Sequence, residues 1–191
     1  MKRAVSLFCL ISLFLFALAG CSSGGSTVFA EASENISPMF VDETGETVYP
    51  IGNTVAINNW DITFTKASAG NEIWASNRKY YPADDHTFIF YYFTVTNNSS
   101  EDRVILSGVP FNGMTARMYV MDDPDIKFSA ENISDVPTNA YHQTIKAGET
   151  KSIAFTFHVP NEIAKQDLIW RMAIEKKEIG GDGEKVVFSF E

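Results

Sequence analysis

Thr87-Phe88-Ile89-Phe90-Tyr91-Tyr92-Phe93-Thr94-Val95-Thr96 decides the fold. Side chains alternate across a strand with a period of two. Ile89, Tyr91, Phe93 and Val95 therefore share one face, and Phe88, Phe90, Tyr92, Thr94 and Thr96 share the other. Both faces are apolar at the start of the run, which predicts a central strand rather than an edge. Residues 97–102, Asn-Asn-Ser-Ser-Glu-Asp, form a polar turn that leads into Val104, Ile105 and Leu106.

The same period appears on either side of this run. Val55 and Ile57 alternate with Thr54 and Ala56, Asn58-Asn59 supplies residues that tolerate positive φ, and Trp60, Ile62 and Phe64 alternate with Asp61, Thr63 and Thr65. That pattern predicts a β-hairpin with one buried face. Residues 66–85, rich in Ala, Ser, Asn and Gly, read as a long irregular loop. Beyond the central run, residues 115–121 suggest a strand, followed by a turn at Asp122-Asp123-Pro124-Asp125. Residues 128–140 carry no clear period.

Periodicity returns after the turn at Lys146-Ala147-Gly148-Glu149-Thr150. Ile153, Phe155, Phe157 and Val159 are expected to face inward, with Ser152, Ala154, Thr156 and His158 facing outward. Pro160 ends that strand because it cannot donate to a ladder. Residues 161–166 suit one helical turn. Leu168, Trp170, Met172 and Ile174 then pair with Val186, Phe188 and Phe190 as a closing hairpin around Gly180-Gly181-Asp182-Gly183. Seven to nine strands at short intervals predict an all-β fold, an antiparallel immunoglobulin-like β-sandwich, with a β-barrel as the alternative. A Cys…Trp…Cys framework is missing, so a true antibody-type domain is excluded.

The N-terminus is organised differently. Lys2 and Arg3 precede an apolar run to Ala19, the n-region and h-region of a secretory signal. Leu18-Ala19-Gly20 leads straight into Cys21, which resembles the cleavage site of bacterial lipoprotein signals. That resemblance implies a diacylglyceryl group on the Cys21 thiol and cleavage before it. The expected organisation is a signal peptide over 1–20, a lipidated flexible acidic tether over 21–46 and one sandwich domain over 47–191. As a random coil, residues 22–44 would span roughly 25 Å. In the competing reading Met39-Phe40-Val41 adds a short edge strand.

Charge and cysteine content narrow the function classes. The chain carries 15 basic and 24 acidic residues, and loss of Lys2 and Arg3 leaves 13 against 24, a formal charge of −11. So acidic a chain lacks the electrostatic footprint of a nucleic-acid binder, and it would be repelled by an anionic membrane surface. Attachment to a membrane is therefore expected through acyl chains. Cys9 lies in the signal and Cys21 is lipidated, so the domain holds no disulfide, thiol nucleophile or cysteine-ligated zinc.

Residues 49–55, Tyr-Pro-Ile-Gly-Asn-Thr-Val, the strand 88–98, and Ala147-Gly148-Glu149-Thr150 leading to Phe155-Thr156-Phe157-His158-Val159-Pro160 together resemble a family of uncharacterised bacterial lipoproteins. Its secreted domain is telokin-like and akin to a mycobacterial immunoprotective antigen. The resemblance covers residues 48–176 and implies export, most often in Gram-positive bacteria, and so a position on the outer face of the cytoplasmic membrane. It brings no catalytic residues. Residues 67–85 and 122–143 depart from the pattern.

Catalytic and metal signatures are sparse. His86, His142 and His158 show no H-x-x-x-H or H-E-x-x-H spacing and read as surface residues. Within residues 47–191 no G-x-S-x-G elbow is present. Asp84-Asp85, Asp122-Asp123-Pro124-Asp125 and Asp182-Gly183-Glu184 could offer oxygens to calcium, but none follows the EF-hand pattern, and Asp, Pro and Gly are also what turns require. Neither cofactor nor metal is expected. Trp74, Tyr80 and Tyr81 are the candidate recognition residues, because amphipathic aromatics in a loop suit a protein partner or the face of a sugar. The competing structural role is to cap the sandwich core. The expected function is a non-enzymatic, lipid-anchored binding or structural module engaging a protein, glycan or envelope component, with an envelope-associated enzyme or enzyme inhibitor as the alternative.

Overall fold

The computed structural model describes residues 27–33, 36–106, 114–133, 135–141, 143–166, 168–176 and 183–189. The expected signal, Leu18-Ala19-Gly20-Cys21, His142 and Gly180-Gly181-Asp182 lie outside the described residues. In chain order the elements are β1 (Thr27–Glu31), β2 (Phe40–Val41), β3 (Thr47–Pro50), β4 (Thr54–Ile57), β5 (Trp60–Gly70), β6 (Ile73–Trp74), β7 (Lys79–Tyr80) and β8 (His86–Asn97). They continue with β9 (Arg103–Val104), β10 (Met114–Val120), β11 (Asp123–Ser129), β12 (Thr144–Ile145), β13 (Thr150–Pro160), α1 (Asn161–Ala164), β14 (Trp170–Lys176) and β15 (Lys185–Ser189).

The long strands form two facing sheets. One runs β1-β5-β8-β13 with β4 also on β5, and the other runs β11-β10-β14-β15-β3-β2. Strands β5, β8 and β13 follow the A-B-E order of an immunoglobulin-like sandwich, and β11, β10, β14 and β15 follow C′-C-F-G. The sheets remain separate and do not close into a barrel. Their neighbours are antiparallel except for β15 and β3, which pair in parallel, Val187 opposite Val48.

Strand β8 lies between β5 and β13, as its two apolar faces require. Phe93 is fully buried at the centre. It stacks on Phe64 at 5.0 Å, meets Phe155 edge-on at 5.3 Å and reaches Phe188 of the other sheet at 4.9 Å. Stacked and edge-on geometries are the ones the ring quadrupole favours. Opposite them Met118, Met172 and Ile174 complete the core. The β4–β5 hairpin turns at Asn58 and Asn59, both with positive φ (49° and 63°), the signature of a type I′ turn.

Several expectations are corrected. The flexible tether expected over residues 21–46 contains two strands: β1 pairs with β5, and β2 pairs with β3. A bulge between Val28 and Ala30 breaks the alternation of β1, which hides it in the sequence. The loop expected from Lys66 begins later, because β5 continues to Gly70 through the small residues Ala67, Ser68 and Ala69. Ala154 and Thr156, expected to face solvent, are 4% and 3% exposed. Residues 131–133 and 135–140 lie over them, with Glu131 N–H donating to Thr156 O at 2.7 Å and Ala154 N–H to Thr138 O at 2.7 Å. The turn expected at 122–125 sits at Met121-Asp122, and Asp123-Pro124-Asp125 already belongs to β11, an edge strand where proline is tolerated.

Candidate recognition surface

The short hairpin of β6 and β7 stands on the outer face of the first sheet. Ile73 is opposite Tyr80 and Trp74 opposite Lys79, and Ala75 N–H donates to Arg78 O at 2.9 Å to close the turn. Alternation then divides the hairpin. Ile73 turns inward, 6% exposed, onto Phe88, Phe90 and Val136 in a small second core, while Trp74 turns outward and is 66% exposed. The outward-facing apolar residues of β8 thus serve to seat this hairpin.

Polar contacts fix the exposed side. The Trp74 indole N–H donates to Glu72 Oε1 at 2.9 Å, and Lys79 Nζ donates to Glu72 Oε2 at 3.0 Å while lying 3.8 Å from the Trp74 ring centroid. One face of the indole is therefore covered by an ammonium group, a cation–π contact. Hydrogen bonds from Lys79 and then from Trp74 hold the Glu72 carboxyl below its ordinary range. A second clamp ties the hairpin to the chain covering β13. Arg78 Nε donates to Asp135 Oδ2 at 2.9 Å, the Tyr80 hydroxyl donates to Asp135 Oδ1, and the Arg78 guanidinium lies 4.4 Å from the Tyr80 ring centroid. The hydrogen bonds from Tyr80 and then Arg78 lower the Asp135 carboxyl, and the same bond raises the Tyr80 hydroxyl.

The three aromatic candidates therefore separate. Trp74 and Tyr81 are both 66% exposed and available to a partner. Tyr80 is half-buried, packs against the second core and gives its hydroxyl to Asp135. It positions the hairpin and does not present a recognition face.

Sequence spacing missed another juxtaposition. His86 and His158 stack at 4.4 Å, and Phe88 lies 5.4 Å from His158. Pairing of β8 with β13 places His86 opposite Pro160, which makes His158 its diagonal neighbour. His86 Nδ1 and Asp85 Oδ1 are 2.6 Å apart, and Ala83 N–H donates to His158 Nε2 at 3.2 Å. The pair would have been legible had the register of the two strands been deduced. Among the described residues no three His, Cys, Asp or Glu side chains converge on a metal-sized site. In the acidic turns, Asp123 Oδ1 accepts from Asp125 N–H at 3.2 Å and Glu184 Oε2 from Asn58 N–H at 3.1 Å.

A cavity of about 170 Å³ opens beside β1, lined by Phe29, Ile89, Tyr91, Gln166, Leu168 and Trp170 among others. Burial pushes the Tyr91 hydroxyl far above the ordinary tyrosine range. An enclosed apolar cavity of ~150 Å³ takes one benzene-sized molecule, which is the scale of this one.

No family model and no curated protein matches the sequence. Among solved structures, an uncharacterised β-sandwich protein from Clostridium difficile matches with a TM-score of 0.55 at 16% identity, covering 84% of this chain and 99% of that one. That likeness shows the fold. A "putative lipoprotein" from Staphylococcus aureus has a TM-score of 0.46 at 11% identity, covering 80% of this chain and 94% of that one. A conserved hypothetical protein from Bacillus anthracis has a TM-score of 0.45 at 14% identity, covering 72% and 94%. The protein is thus a β-sandwich, and the telokin-like family stays a resemblance carried by sequence alone.

Proposed function

We propose that the chain is a bacterial lipoprotein whose β-sandwich is a non-enzymatic recognition module on the outer face of the cytoplasmic membrane, in the telokin-like manner of the family it resembles. Support for the anchor comes from Lys2, Arg3, the apolar run and Leu18-Ala19-Gly20-Cys21. Among the described residues no helix is long and apolar enough to cross a membrane, and Thr27 opens the first strand six residues after Cys21. The acyl chains on Cys21 would then hold the domain at the surface, since two chains give stable attachment where one is marginal.

The observation that carries the recognition role is the pre-built hairpin, on which Trp74 is exposed but immobilised. Its indole N–H and one face are already held by Glu72 and Lys79, so presenting the other face to a partner requires little further ordering. Tyr81 supplies a second amphipathic aromatic directly after β7. Protein surfaces and sugar rings are the partners such side chains fit.

The test is a paired capture from solubilised cell envelope, using Cys21→Ser protein with Trp74 and Tyr81 intact or both replaced by Ala. Components retained by the first and lost by the second are expected. Identical retention by the two would overturn the assignment of the hairpin.

A further inference from the structure

Eight large apolar side chains are exposed among the described residues, and six of them lie within fifteen consecutive positions: Val28, Phe29, Ile36, Met39, Phe40 and Val41. The other two are Trp74 and Tyr81 of the recognition surface. The six belong to a strap, residues 27–33 and 36–41, that follows one edge of the sandwich. Strand β1 covers the half of β5 that β4 leaves free, Ala32 N–H donates to Thr65 O at 2.8 Å, Asn53 Nδ2 donates to Ser37 O at 2.7 Å, and β2 then pairs with β3. This is the edge where the chain crosses from the second sheet to the first. Backbone bonds hold its described parts against that edge.

Not all six are equally free. Phe29 helps to line the cavity, and Phe40 lies 5.7 Å from the Arg171 guanidinium. Met39 and Val41, by contrast, are 60% and 66% exposed, with Ile36 at 54% and Val28 at 46%. They carry no polar handle, unlike Trp74 and Tyr81. Scattered exposed apolar residues are ordinary on a protein surface; a concentration of this kind marks a contact.

The covalent chain indicates what covers it. Thr27 is the sixth residue after Cys21, and a fully extended chain reaches about 3.3–3.6 Å per residue, so β1 lies within roughly 20 Å of the acylated residue. The headgroup layer itself takes up about 5–8 Å of that distance. We propose that the strap is a bilayer-contacting edge on which Val28, Met39 and Val41 rest in the lipid interface beside the Cys21 anchor; this rests on the anchor reading given above. Charge sets the kind of lipid. Glu31, Asp42 and Glu43 lie on or beside the strap, and residues 27–41 carry no Lys or Arg of their own, so the contact is apolar and favours a zwitterionic surface.

The mature chain has no cysteine besides Cys21, whose thiol the anchor consumes, so one introduced thiol can be labelled selectively. Lipidated Met39→Cys and Val41→Cys proteins in phosphatidylcholine vesicles would carry a fluorophore quenched by doxyl-labelled phosphatidylcholine. Lys127→Cys, exposed on β11 at the far edge of the second sheet from β2, is the reference. At least twofold more quenching is expected at 39 and 41 than at 127, falling when anionic lipid is added at low salt and recovering as salt screens the charge. Equal quenching at all three positions in protein that floats with the vesicles would overturn the strap proposal and leave the anchor standing. Protein that does not float would remove both. Excimers between pyrene-labelled Met39→Cys copies without lipid quenching would give the edge to a second copy and overturn the proposal.

Discussion

The β6–β7 hairpin and the N-terminal strap both expose apolar side chains, yet they are built in opposite ways. The hairpin is seated by a buried side chain, Ile73, and locked by side-chain ion pairs through Glu72 and Asp135. The strap is held by backbone hydrogen bonds along a sheet edge and presents aliphatic side chains with nothing polar at their tips. Amphipathic aromatics on a rigid support suit a specific partner, whereas aliphatic side chains on an edge beside an acyl anchor suit a solvent-like surface with no fixed pattern of donors. Exposure alone therefore does not distinguish recognition from membrane apposition. What holds the exposed group in place does.

If this contrast is right, the two regions break at different points. Ile73→Ala removes the hairpin's buried foot and leaves a gap against Phe88, Phe90 and Val136. A loss of about 2 kcal/mol in a urea melt is expected, at the low end for Ile→Ala because an outer cluster can partly collapse. Trp74 should become more mobile by fluorescence anisotropy while hydrogen exchange at residues 36–41 stays unchanged. Equal loosening of the strap would show that the regions are not independent. Gly52→Ala acts on the other side of the comparison. Gly52 has φ +92°, and a Cβ there would stand 2.9 Å from Ile36 Cγ1. A side chain at such a φ costs about 1–2 kcal/mol. Faster exchange at residues 36–41 is expected, with Trp74 unaffected; an unchanged melt would show that Ile36 is not seated over the turn.

Legibility followed the strength of alternation. The central strand around Phe93, the inward set Ile153, Phe155, Phe157 and Val159, and the Asn58-Asn59 turn all stand where the two-residue period and turn chemistry put them. Elements whose stability comes from elsewhere were hidden. Strand β1 carries a bulge at its centre, and the end of β5 is built of Ala, Ser and Gly, which have low strand propensity and rely on neighbours for pairing. Ala154 and Thr156 look like solvent-facing positions because the segment over them has no period of its own. Within the candidate site, Trp74 and Tyr81 were legible as amphipathic aromatics in a loop. The supporting role of Tyr80 depends on Asp135, far away in sequence, and only folding brings the two together.

The anchor underlies both the recognition reading and the apposition of the strap, so the most direct test is the intact mass of the protein extracted from membranes, with its N-terminal peptide sequenced by fragmentation. The expected species begins at Cys21 and carries the mass of a diacylglyceryl group, and Cys21→Ser releases the folded domain from the membrane. A membrane-bound chain that retains residues 1–20, or one that begins at Cys21 without lipid mass, would contradict the account.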